Sequence, residues 1–127
     1  MSGPFAKKIV IADDEAFMLR LLEMTLKKGG YEVTSCRDGH AALAAVFAAP
    51  PQLIVLDVMM PGLDGLRTLR QLKENPATQN IPVIVLSGKG HALTRVEAER
   101  AGAQMFFAKP FSPNQLLEEV RKILEPN

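Results

Sequence analysis

The chain reads as an α/β domain, a doubly wound sheet of five parallel strands with five helices on its two faces. Three features carry this reading. Short apolar runs of strand length alternate five times with longer stretches in which apolar residues recur at helical spacing. The runs at 9–12, 53–56 and 83–86 are continuous in apolar, often β-branched residues, as strands covered on both faces of a parallel sheet are. Glycine, proline or a capping residue closes most of the gaps, which suits right-handed crossovers between neighbouring strands.

Each element has its own justification. The run 8–12 stops abruptly at Asp13, Asp14 and Glu15, so acids stand at the carboxyl end of the first strand. Phe17, Met18, Leu21, Leu22 and Leu26 then mark one face of a helix, Lys27 and Lys28 complement the negative end of its dipole, and Gly29-Gly30 stops it. Residues 31–36 alternate and are less apolar, which places them nearer a sheet edge. Asp38 caps an Ala-rich helix through Phe47, and Pro50-Pro51 ends it.

The central run reaches Asp57 and breaks at Pro61-Gly62. Asp64 then caps a helix carrying Leu66, Leu69 and Leu72, which runs out at Asn75-Pro76. The fourth strand ends at the Ser87 hydroxyl and a Gly88-Lys89-Gly90 turn. The helix from His91 to Ala101 has only Leu93 and Val96 as sizeable apolar anchors and is expected to be the most loosely held. A fifth strand over 104–108 closes on Lys109-Pro110. Ser112-Pro113-Asn114-Gln115 forms a capping box ahead of Leu116, Leu117, Val120, Ile123 and Leu124.

At 127 residues, 47% of them hydrophobic, the chain has the size and apolar content of a single domain. Residues 1–7 read as an N-terminal tail, partly a cloning remnant, and 8–127 as the domain. A net charge of +1 exerts no general pull on nucleic acid or an anionic membrane. The single cysteine, Cys36, cannot form an internal disulfide, which favours a reducing compartment and hence a cytoplasmic location. No apolar run approaches the length of a membrane span. His40 and His91 are not at metal-ligand spacing.

The functional signal is convergence. Asp13, Asp14, Asp57, Ser87 and Lys109 all follow or end strands on one edge, the edge at which open α/β sheets bind ligands. A dehalogenase-type phosphatase would need a second acid two residues after its nucleophile, where this chain has Met59. A nucleotide-binding module would need a phosphate-cradling glycine loop, and neither G-x-x-x-x-G-K-[ST] nor G-x-G-x-x-G occurs.

These residues closely resemble the receiver domain of two-component response regulators. Asp13-Asp14, the block 57–65, Ser87-Gly88 and Lys109-Pro110 match that family's motifs, Asp38-Gly39 with Ala42-Leu43 matches a lesser one, and the likeness runs from Lys8 to Leu124. The resemblance implies a flavodoxin-like sheet in strand order 2-1-3-4-5. It also implies that Asp57 accepts a phosphoryl group from a sensor histidine kinase or a histidine phosphotransfer protein. Mg²⁺ is the implied cofactor, held by Asp14, Asp57 and the Met59 backbone carbonyl, with Asp13 acting through water.

Lys109 and Ser87 would contact the phosphoryl oxygens, Gly88 and Phe106 would belong to the switch, and Pro110 would follow a cis peptide bond. Met59 and Lys89 would flank the path of the hydrolytic water and slow dephosphorylation. Two departures stand out. Ser87 and Gly88 occupy positions where Thr and Ala are frequent, and Phe106 stands where Tyr is common. Such a receiver is a signalling module, catalysing only its own phosphorylation and slow dephosphorylation. Its output is expected through protein contact with an unknown target around Val96, Phe106 and the last helix, without direct nucleic acid binding or membrane insertion. The alternative is a degenerate receiver that serves only as a docking module, against which the complete acid, hydroxyl and lysine set argues.

Overall fold

The computed structural model describes residues 6–88 and 92–126. Its elements alternate strictly: β1 (Lys8–Ala12), α1 (Ala16–Lys28), β2 (Glu32–Cys36), α2 (Gly39–Ala48), β3 (Leu53–Asp57), α3 (Gly65–Glu74), β4 (Val83–Ser87), α4 (Ala92–Arg100), β5 (Met105–Ala108) and α5 (Pro113–Leu124). The five strands form one sheet in the order β2-β1-β3-β4-β5, and every neighbouring pair is parallel. This is the flavodoxin-like arrangement, with its topological switch between β1 and β3.

Burial follows position in the sheet. β3 and β4 are buried at all five of their residues, whereas β2, at one edge, buries only Cys36. Alternate residues of the strands feed two cores. Val10, Ile54, Leu56 and Val85 pack with α2, α3 and α4, while Ile9, Ile11, Val55 and Leu86 pack with α1 and α5. Each buried Leu or Ile withdraws enough apolar area to be worth about 1.5–3 kcal/mol, so these layers supply most of the driving force.

The caps read from sequence are formed. Asp38 accepts from Ala41 N at 2.8 Å, Asp64 from Arg67 N at 2.9 Å and Ser112 from Gln115 N at 3.2 Å. One sequence expectation fails. Phe17 is 79% exposed, and the buried face of α1 is Leu19, Leu22 and Leu26. At 100° per residue Phe17 lies about 200° from Leu19, on the far side of the helix. At the opposite edge from the strands' carboxyl ends, Lys7 Nζ donates to the Leu124 carbonyl and the Tyr31 hydroxyl donates to Glu125 Oε2.

Candidate functional site

The register of the sheet brings the polar strand ends level. Ala12 pairs with Leu56, Asp57 with Leu86 and Ser87 with Ala108, so Asp13, Asp57, Ser87 and Lys109 emerge at one edge. Backbone bonds extend the ladder there: Asp13 N donates to Cys36 O at 3.1 Å, Val58 N to Leu86 O at 2.9 Å and Lys109 N to Ser87 O at 2.7 Å. Asp13, Asp57 and Ser87 are buried, and Asp14 is exposed.

Lys109 ties the acids together. Its Nζ donates to Asp13 Oδ2 at 2.9 Å, lies 3.1 Å from Asp57 Oδ1 and reaches Glu15 Oε1 at 3.8 Å. The other oxygen of Asp13, Oδ1, accepts from Glu15 N at 2.9 Å. Burial, then the nearby charge of Asp13, raises the Asp57 carboxyl to about 6, against the pull of Lys109. Burial also works against the Lys109 ammonium, but its hydrogen bond to Asp13 and the charges of Asp57 and Asp13 outweigh it and hold the pKa above the ordinary lysine value.

Asp13, Asp14 and Asp57 each offer a carboxylate oxygen within 4.8 Å of the others. Asp57 Oδ1 is fully buried and, among the described residues, its close partner is the Lys109 ammonium at 3.1 Å, an ion pair rather than a well-formed hydrogen bond. A buried, underused oxygen among three hard carboxylate donors fits a hard divalent cation that prefers oxygen ligands.

The β3–α3 loop is tightly seated. Gly65 N donates to Val58 O at 3.1 Å, and a Cβ at Gly65 would lie 2.2 Å from the Asp57 carbonyl oxygen. Gly62, with φ +74°, takes the left-handed conformation that the turn needs. Met59 turns its side chain outward, 71% exposed, beside a shallow cleft whose walls include Asp14, Val58 and Asp64. Gly88 is exposed, and Lys89 lies outside the described residues.

Phe106 is buried on β5, with the Arg95 guanidinium of α4 over its ring at 4.9 Å from the centroid. The Lys109–Pro110 peptide bond is cis. Sequence reasoning placed the acids, the hydroxyl and the lysine but missed the contribution of Arg95, Gly65 and Gly39. For the glycines one signal was available, since each stands first in a helix where Ala would serve the helix better.

The description "Response regulator receiver domain" fits residues 9–121 of the chain. It is 40% identical over 117 residues to the transcriptional regulatory protein ResD of Bacillus subtilis, covering 92% of this chain and 48% of ResD. The chain thus spans about half the length of the first curated relatives it matches. In structure it resembles the receiver domain of a signal transduction histidine kinase from Syntrophus aciditrophicus (TM-score 0.88, 31% identity, 95% of this chain and 92% of that one). It also resembles the chemotaxis protein CheY4 of Vibrio cholerae (TM-score 0.87, 27% identity, 93% and 98%). Among the described residues no helix is long and apolar enough to cross a membrane. With the sheet order, the acid cluster and these likenesses in agreement, the chain belongs to the receiver domain family of two-component response regulators.

Proposed function

We propose that this domain, 8–127, takes a phosphoryl group onto Asp57 from a histidine kinase or histidine phosphotransfer protein and relays the change through its surface to a downstream protein. The observation that carries this reading is the buried Asp57 carboxylate, with an oxygen that lacks a well-formed hydrogen bond among the described residues, set beside Asp13, Asp14 and Lys109. An Asp57 oxygen attacks phosphorus, the phosphorus–nitrogen bond of the donor breaks, and the electron pair returns to the imidazole. With a pKa of about 6 the carboxylate is mostly ionised at pH 7 and so is nucleophilic.

Asp14, Asp57 and the Met59 carbonyl would hold Mg²⁺, with Asp13 acting through water. When bound, the ion offsets the repulsion between carboxylates and an incoming anion. Lys109, kept protonated, presents a point charge to the phosphoryl oxygens, and Ser87, followed by Gly88, donates a hydrogen bond to them. Movement of Ser87 toward the phosphoryl group biases the packing of Phe106 and α4. Met59 and Lys89 set the lifetime of the product, because neither offers a carboxylate or amide to orient the hydrolytic water.

The test is intact mass after incubation with acetyl phosphate and Mg²⁺. A gain of one phosphoryl group in the wild type, lost in Asp57→Asn and in EDTA, is expected. An equal gain in Asp57→Asn, or in EDTA, would leave the docking-module reading in its place.

A further inference from the structure

We infer that Gly39, at the start of α2, is a positioning residue for the cation-binding loop, acting through Leu63 and Thr68. This inference rests on the reading above that Asp57 and its neighbours bind Mg²⁺. α2 meets the β3–α3 loop at its start: His40 lies beside Gly62, and the first residue, Gly39, is pressed against Leu63 and Thr68. A Cβ at Gly39 would lie 2.3 Å from the Leu63 carbonyl oxygen and 2.3 Å from Thr68 Oγ1. Real side chains do not approach so closely, so any residue larger than glycine must push the loop or α3 away.

Backbone conformation does not explain the glycine. Gly39 is not among the residues with positive φ, and in a helix Ala would hold the backbone more firmly. The contact itself is therefore the reason. Thr68 is fully buried and donates through Oγ1 to the Asp64 carbonyl at 2.8 Å, so a displacement at Thr68 passes to the cap of α3. Leu63 is buried in the loop that also carries Met59. Gly65, at the far end of that loop, sits against the Asp57 backbone.

The loop is thus gripped between α2 and the acceptor strand. Mg²⁺ tolerates little departure from octahedral geometry, so a loop shifted by a few tenths of an ångström should bind it less well. Groups that orient ligands without touching the metal commonly contribute tenfold or more to affinity.

Mg²⁺ affinity, measured by calorimetric titration at neutral pH, reads this directly. Gly39→Ala should weaken binding by about tenfold. Leu26→Ala, which removes a core side chain on the opposite face of the sheet, should leave affinity within about twofold even where its melting temperature falls as far. Should Gly39→Ala fail to fold, Thr68→Ala, which empties the same contact, decides by the same titration and is expected to weaken binding severalfold. Unchanged affinity in Gly39→Ala, or in Thr68→Ala where that variant decides, overturns the inference, as does an equal loss in Leu26→Ala. Absence of Mg²⁺ binding by the wild type would instead overturn the functional reading on which it rests.

Discussion

Two helices flank the same edge strand and are held to it by different means. Alternate residues of β5 face opposite ways: Met105 and Phe107 join the core beneath α5, and Phe106 joins the core beneath α4. α5 seats Leu116, Val120 and Leu124 in that core at four-residue spacing. Among the described side chains of α4 only Ala98 is fully buried, and Val96 stands 40% exposed. What α4 has instead is a cation stacked on a ring, Arg95 over Phe106. Deep apolar burial makes α5 a fixed wall, while α4, whose described side chains bury one methyl group and stack one surface cation, can be moved by a smaller input.

The largest effect should come from α5. Leu116→Ala, at a fully buried position, should destabilise the domain by about 3 kcal/mol in urea unfolding. Ala98→Gly on α4 should cost only about 1 kcal/mol. Equal costs would break the contrast between the two helices.

Apolar anchoring is indifferent to pH, and the acid cluster is not. The Asp57 pKa is raised from 3.8 to about 6 in the fold, so the folded state holds a proton that the unfolded state has released. Metal-free stability should therefore fall as pH rises from about 4 to about 6 and stay low above, by at most about 3 kcal/mol from this group. Unfolding profiles of the wild type and Asp57→Asn in EDTA should diverge across that window. Parallel profiles would mean that Asp57 carries no such shift.

The smallest effect sharpens the comparison most. Arg95→Met should cost about 0.5–1 kcal/mol or less in global stability, yet raise amide exchange in α4 while leaving α5 unchanged. Slow exchange persisting in α4 would show that the stacked cation does not hold it.

The strands were legible because continuous apolar runs admit few other readings, and the caps because Asp38, Asp64 and Ser112 stand where orphan amides need acceptors. The acids and the lysine were legible as strand-end residues. Their convergence on one edge followed from the alternation of strands and helices, but the direct ion pair of Lys109 with Asp13 did not, since it spans 96 positions that no local pattern covers. Phe17 misled because a large apolar residue near a helix start fits helical spacing without having a wall to face. Arg95 was illegible for the opposite reason, as a lone exposed arginine looks like any solvated one until the ring beneath it is placed. Gly39 and Gly65 stand out in the sequence as glycines opening helices, but which atoms require them appears only in the fold.

The contacts of Lys7 with the Leu124 carbonyl and of Tyr31 with Glu125 bring residue 7 and residues 124–125 together at the edge of the sheet opposite Asp57. In a parallel sheet the two edges lie a full strand length apart, and five residues at about 3.3 Å each make that roughly 16 Å. Chain leaving the domain at residue 7 or residue 125 therefore starts on the side of the sheet away from Asp57. The same closeness means that a short linker could join the old ends on the side of the sheet away from the acid cluster.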